Sequence, residues 1–162
     1  MKFNLRIFFL ISLLGFAGIF SGFLKVSSQQ QTPQDVLLSP APGETNPVIR
    51  KVLTVDDASM ERAKIEYLLA RIRRSPCKFI RNGETYGGSR AAMHITWKYR
   101  KALKQIKTAD DFIDEVASRS KVTGEDYLVK FSDGRLFPME GVLGNELRFL
   151  NNYLHSTKTS KN

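Results

Sequence analysis

Three polar side chains recur every four residues along one predicted helix, and they are the strongest candidates for chemistry in this sequence. Arg90, His94 and Lys98 lie in a segment of helical periodicity over 89–106, so the three side chains share one face. Two cations beside a histidine lower the pKa of the imidazole and disfavour a metal ion there. The spacing predicts a ligand-binding face or a general base, or else a structural histidine that bonds the neighbouring turn.

The chain has a single cysteine, Cys77, which excludes an intramolecular disulfide and a zinc site built on several thiolates. Cys77 and His94 pair as nucleophile and base by residue type only. A lone cysteine near a helix end is more typical of a small buried side chain. Exposed in an oxidising compartment, the free thiol would instead pair with a partner protein.

The sequence carries no motif of a known catalytic or cofactor site. A Gly-rich phosphate loop, His-Glu-x-x-His, Gly-x-Ser-x-Gly and a calcium loop are all absent. Asp110, Asp111, Asp114 and Glu115 resemble a divalent-metal cluster, but acids at the start of a helix are explained by the helix dipole. We therefore predict no metal and no cofactor, and we favour a non-enzymatic role.

Hydrophobic periodicity predicts the elements that must position these residues. Apolar residues at helical spacing predict four helices, over 57–74, 89–106, 109–120 and 140–154. Two short strands are predicted over 77–82 and 127–131, each ending near an Asn-Gly or Asp-Gly turn. The predicted fold class is α+β, mostly helical, with about four helices and a small two-stranded β element.

The N-terminus has the composition of an export segment. Lys2 and Arg6 precede a run without charged residues over 7–24, a length at the border between a signal peptide and a spanning helix. Small residues before Gln29 suit cleavage by a signal peptidase. Residues 1–28 are therefore a cleaved signal peptide or an uncleaved anchor, which would contact the membrane through 7–24. Either form predicts a periplasmic location, secreted or at the outer face of the inner membrane.

Composition divides the rest of the chain. Residues 29–52 are rich in Pro and Gln and poor in large apolar side chains, which predicts a linker. Residues 53–156 are predicted to form a single globular domain, and 157–162 a polar tail.

Charge is unevenly placed along this domain. Of the 162 residues 25 are Lys or Arg and 16 are Asp or Glu. The segment 56–107 has 13 basic and 5 acidic residues, whereas 108–126 has 2 basic and 6 acidic. The basic half predicts an anionic partner, namely phospholipid, lipopolysaccharide or glycan, unless the two helix faces neutralise each other. Nucleic acid is disfavoured, because export separates the protein from it and no RNA-binding pattern is present.

Several short segments in fixed order resemble the YfeK-like family of small exported bacterial proteins, a domain family of unknown function. They are Ser75-Pro-Cys77-x-Phe79-Ile-Arg-Asn-Gly83, Tyr86, Ala92-x-His94 with Lys98, and Thr108-Ala-x-Asp-Phe-Ile113. The resemblance implies export and a small single domain, without an activity. It directs attention to the residues that fall in the shared pattern: Arg81, Asn82, Tyr86, His94 and Lys98, with Ser118 further on.

Two roles remain open for Arg81. An Arg on a short strand opposite an acidic helix start predicts an ion pair with Asp111 or Asp114, which would make Arg81 a determinant of the fold. The alternative places Arg81 in a ligand site.

Three functional hypotheses follow. The leading one is a non-enzymatic binding or interaction module for an anionic envelope component or an envelope protein. The second is an envelope hydrolase or transferase that uses His94 with Arg81 and Tyr86, oriented by a carboxylate such as Glu61 or Glu66. The third is a thiol-mediated partner that uses the cysteine.

Overall fold

The computed structural model of the protein describes residues 35–41, 43 and 46–160. There the chain forms five α-helices and four β-strands. The helices are α1 (Pro47–Thr54), α2 (Asp57–Arg74), α3 (Gly88–Ala102), α4 (Ala109–Phe112) and α5 (Met139–Thr159). A π-helical turn, Ile113–Ala117, follows α4 directly. The strands are β1 (Lys78–Arg81), β2 (Glu84–Gly87), β3 (Leu128–Lys130) and β4 (Leu136–Pro138).

The four strands form one antiparallel sheet in the order β2–β1–β3–β4. Strands β1 and β2 are joined by Asn82 and Gly83, which both have positive φ, 49° and 76°. A two-residue hairpin of this kind is a type I′ turn, which Asn-Gly favours, so the predicted turn is confirmed. Tyr86 on β2 is the cross-strand partner of Phe79, and Phe79 precedes Arg81 by two residues on β1. The side chains of Arg81 and Tyr86 are therefore diagonal neighbours on one face of the sheet.

The hydrophobic core lies between that face of the sheet and the helices. Phe79, Val129 and Phe137 are successive cross-strand neighbours, and all three are buried. Helix α2 contacts α1, α3, α4 and α5 and contributes the fully buried Tyr67 and Leu68. Because Arg81 shares the core-facing side of β1 with Phe79, its guanidinium is held at the edge of the core.

The predicted α+β, mostly helical class is confirmed, and α2 has the predicted bounds, but the β element is larger than predicted. The prediction found two strands instead of four because β2 and β4 lack the sequence pattern of a strand. Strand β2 is mostly exposed, so it lacks apolar alternation. Strand β4 has three residues and ends in a proline, which argues against a strand in sequence. Helix α5 continues to Thr159 and includes part of the predicted polar tail.

The prediction that 29–52 is a linker is wrong for part of its described residues. Val36 and Leu38 are buried in the core. Helix α1 begins inside the predicted linker, capped by the side chain of Asn46, and buries Ile49 and Val52. These few buried apolar residues suffice to dock this part of the chain, because hydrogen bonds to the segment 36–40 add to the apolar area that is buried.

A buried polar cluster holds the segment 36–40 against the domain. Glu146 on α5 is fully buried and forms an ion pair with Arg71 on α2, with Nε–Oε2 and Nη2–Oε1 distances of 2.7 and 2.9 Å. Its Oε1 also accepts from the backbone N–H of Leu38 at 2.8 Å, and Arg71 donates to the carbonyls of Ser39 and Pro40. Two charged side chains therefore hold the segment by hydrogen bonds to its backbone.

The predicted export segment, 7–24 within 1–28, lies outside the described residues. Among the helices of the described ranges, none combines the length and the apolar character that a membrane crossing requires.

Candidate binding site

Arg81, at the end of β1, contacts both Tyr86 on β2 and His94 on α3. Its Nη1 lies 2.9 Å from Nδ1 and 2.8 Å from Nε2 of His94, and its Nη2 donates to the Tyr86 hydroxyl at 3.3 Å. A guanidinium only donates, so this contact with His94 favours a neutral imidazole. The sheet face and the helix face predicted from spacing thus meet at these three side chains.

No carboxylate compensates the Arg81 guanidinium within the described part of the chain. The predicted ion pair with Asp111 or Asp114 is wrong. Asp111 instead accepts from the backbone N–H groups of Lys107 and Thr108 and caps α4. The Nε of Arg81 is buried and has no hydrogen-bond partner among the described residues. An unsatisfied buried donor costs free energy, and natural proteins retain few of them without a functional reason.

Lys98, one turn further along α3, is half-buried and is fixed by three acceptors. Its ammonium donates to the carbonyls of Val116 and Arg119, the latter at 2.8 Å, and to the Tyr127 hydroxyl at 3.3 Å. Burial lowers the pKa of Lys98 to about 8, helped by the nearby charges of Lys121 and Arg81. The site therefore keeps a second, partly desolvated cation, whose pKa lies about one unit above neutral pH.

His94 lies between the two cations and is flanked by aromatic rings. Its ring centroid is 6.0 Å from that of Trp97 and 6.4 Å from that of Tyr127. Burial lowers the pKa of His94, and the charges of Arg81 and Lys98 lower it further. The imidazole is therefore neutral at neutral pH and offers one donor and one acceptor. We call Arg81, Tyr86, His94, Lys98 and Tyr127 the cation–aromatic site.

Two clefts meet at this site. The apolar cleft has a volume of about 340 Å³ and is floored by buried Phe79, Ala91, Ile95 and Met139. The basic cleft has a volume of about 370 Å³, and Lys98, Lys101 and Lys121 line it. Four residues line both clefts: Arg81, His94, Trp97 and Tyr127.

The remaining predicted residues lie at the edges of these clefts. Asn82 lines the basic cleft, where its Oδ1 accepts from the Thr123 hydroxyl at 3.0 Å. Arg90 lines the apolar cleft, with its Cζ 5.2 Å from the centroid of the Tyr86 ring. The structure thus brings together all six predicted binding residues: Arg81, Asn82, Tyr86, Arg90, His94 and Lys98.

Sequence reasoning missed several residues of the two clefts, among them Trp97, Lys101, Lys121 and Tyr127. Trp97 and Lys101 lie three and seven positions after His94, so helical spacing alone would have found them. The Lys101 ammonium lies 3.8 Å from the Trp97 ring centroid. Tyr127 and Lys121 come from a distant part of the chain and approach only through the fold, which no local spacing indicates.

The arrangement needed for a hydrolase is not formed around His94. In the described structure its polar contact is Arg81, a cation, rather than a carboxylate. Glu61 instead binds Lys64 and the backbone N–H of Ala109, and Glu66 binds Lys51. General-base catalysis requires an orienting acceptor that none of these contacts supplies.

Cys77 lies away from these clefts in the core. Its thiol is buried and donates to the carbonyl of Leu38 at 3.5 Å. Burial raises the pKa of Cys77, which lowers the population of the reactive thiolate. No group of three or more His, Cys, Asp or Glu side chains that could hold a metal ion occurs in the described ranges.

Comparison with known proteins places the sequence in a family. Residues 59–151, more than half of the chain, match the family of unknown function DUF5329. The chain belongs to this family. It is also 38% identical over 68 residues to the uncharacterized protein YfeK of Salmonella typhimurium strain LT2. That match covers 41% of this chain and spans only 57% of the relative. No solved structure matches the chain.

The YfeK-like resemblance predicted from the sequence is confirmed by these matches. The DUF5329 segment, 59–151, contains the whole cation–aromatic site. It also contains Arg71 and Glu146, whereas the segment 36–40 that these two residues bind lies outside it. The family supplies no activity, and a function depends on the residues of a site rather than on the fold.

Proposed function

We propose that this domain is a non-enzymatic, exported binding module that holds an anionic component of the bacterial envelope at the cation–aromatic site. The observation that carries the proposal is a set of cations without counter-charges. Arg81, Arg90, Lys98 and Lys101 line the two clefts, and none of them forms an ion pair within the described residues. Cations held close together repel one another, and an anion would relieve that repulsion.

The chemistry of the clefts suits an oxyanion such as a phosphate. Guanidinium and ammonium groups donate charge-assisted hydrogen bonds to oxyanions, and the neutral His94 imidazole and the Tyr86 hydroxyl add neutral donors. Glu115 lines the basic cleft as an acid, and it lies 3.5 Å from Lys121, which offsets its charge. Phospholipid, lipopolysaccharide and an acidic glycan all present such oxyanions, as does an acidic surface of an envelope protein.

The location belongs to the same proposal. The basic residues followed by an apolar run over 7–24 support export by a cleaved signal peptide or an uncleaved anchor. The domain would then act in the periplasm, free or tethered to the outer face of the inner membrane. The second and third hypotheses gain no support from the geometry, because His94 contacts a cation and the thiol is buried.

Titration with inorganic phosphate tests the proposal. With protein purified after expression of the full chain, we expect Arg81→Gln to weaken phosphate binding about tenfold, as loss of a charge-assisted hydrogen bond does. Binding should also collapse at about 1 M salt, where the Debye length falls to about 3 Å. Arg62→Gln is the matched control, because it removes the same charge from an exposed position outside both clefts. Equal affinities of the two variants would contradict the proposal.

A further inference from the structure

The apolar floor of the apolar cleft has no role in binding an oxyanion, yet it adjoins the cations. This floor is made of buried side chains of β1, α3 and α5, and the rim of the cleft carries Met93 and Trp97. These two side chains are 65% and 53% exposed. Large apolar side chains exposed around a concave apolar surface mark a binding groove more often than a chance surface. An inorganic anion would leave this surface in water.

The two clefts share a wall of four side chains that line both of them: Arg81, His94, Trp97 and Tyr127. A ligand that extends over this wall would occupy both clefts. Val122, which is 93% exposed, lines the basic side. A ligand that bridges the wall needs a negatively charged end and an apolar end.

Resting on the proposed function, we infer that the ligand is a monomeric anionic amphiphile with a phosphate head group and an alkyl or acyl chain. The head group lies against Arg81, Lys98 and Lys101, and the chain enters the apolar cleft over Ala91 and Ile95. A concave cleft of about 340 Å³ suits an inserted chain, whereas docking on a flat membrane surface would need no cleft. An acidic glycan or an acidic peptide would leave the apolar cleft empty.

A series of alkyl phosphates of increasing chain length, used below their micellar concentrations, tests this inference. The protein is again purified after expression of the full chain, whose single tryptophan, Trp97, reports from the shared wall. We expect affinity to rise about fourfold for each methylene that enters the cleft, and then to level off. Emission of Trp97 should shift to shorter wavelength as the chain covers the ring.

Substitution in the cleft separates the chain from the head group. Ala91→Leu fills the floor of the apolar cleft, so it should abolish the dependence on chain length while inorganic phosphate still binds. Should Ala91→Leu fail to fold, Met93→Ser removes an exposed rim residue and should weaken octyl phosphate severalfold without affecting phosphate. Leu103→Ser is the matched control, because Leu103 is also exposed but lines neither cleft.

The outcomes separate this inference from the proposed function. Equal affinities along the series, with phosphate bound, would overturn the amphiphile and leave the anion site standing. If neither inorganic phosphate nor the alkyl phosphates bind, both the proposed function and the amphiphile inference are overturned. Binding to vesicles of an anionic phospholipid, with no binding of monomeric alkyl phosphates, would replace the inserted chain by docking on a membrane surface.

Discussion

Glu146→Ala is expected to lower the free energy of unfolding by about 3–5 kcal/mol, the largest effect of any single change proposed for this chain. The carboxylate is fully buried and accepts from Arg71, from the Tyr67 hydroxyl at 3.0 Å and from the backbone N–H of Leu38. Its loss leaves the Arg71 guanidinium buried without a counter-charge. It also removes one of the bonds that anchor the segment 36–40, so proteolysis of that segment should accelerate.

Urea unfolding measures this effect. Two further variants serve as a control and as a test of the buried charge. Glu140→Ala, on the same helix, removes a half-exposed carboxylate 4.0 Å from Arg119 and should cost less than about 1 kcal/mol. The double variant Arg71→Met with Glu146→Leu should recover much of the loss, because no charge is then left buried. A Glu146→Ala protein within about 1 kcal/mol of the wild type would show that the cluster does not hold the domain together.

Gly88→Ala is expected to destabilise the domain by about 1–3 kcal/mol or more, because α3 begins in direct contact with the end of α2. A Cβ on Gly88 would lie 2.3 Å from the carbonyl oxygen of Ile72 and 3.0 Å from that of Ser75. Backbone atoms cannot move aside as a flexible side chain does, so α3 itself would have to shift. Since α3 carries His94 and Lys98, phosphate binding should weaken along with stability.

Gly87→Ala is the matched control for this substitution. Gly87 is the preceding residue, its φ of −78° suits any residue, and a Cβ there would meet nothing within 4 Å. Thermal unfolding should show a fall of several degrees for Gly88→Ala and little change for Gly87→Ala. Similar melting temperatures for both variants would contradict the close approach of the two helices.

Long-range features of the fold account for most of what the sequence did not predict. The bounds of α2 and the Asn82-Gly83 turn were predicted because capping, periodicity and turn chemistry are local. The contacts of Leu38 were not, because they depend on Ser75 and Glu146, far away in the chain. A segment rich in proline gives no pattern from which such docking can be derived.

The candidate site was likewise predicted where local spacing determines it and missed where long-range contacts do. The face shared by Arg90, His94 and Lys98 followed from a spacing of four residues. The approach of Arg81 to His94 requires the hairpin to lie against α3, and the predicted partner Asp111 is occupied by its capping role. Tyr127 completes the site only because β1 pairs with β3 and the residue before β3 is thereby brought to α3.

The titration of His94, followed by NMR with and without saturating phosphate, tests the central claim most directly. The resonances of His94 are identified by their loss in His94→Gln. Burial, Arg81 and Lys98 lower the pKa of His94 below its ordinary value of 6.5, so protonation of the free protein should require acidic conditions. Phosphate carries a negative charge throughout this range and would offset both cations, so its binding should raise the pKa of His94.

By linkage, the protonation of His94 should strengthen phosphate binding as the pH falls from the raised pKa of the complex to the pKa of the free protein, because the anion favours the protonated imidazole. An upward shift of the His94 titration on adding phosphate, which is lost in Arg81→Gln, is the result that the proposed site predicts. An identical His94 titration with and without phosphate, under conditions where phosphate binds, would place the anion elsewhere and contradict the site.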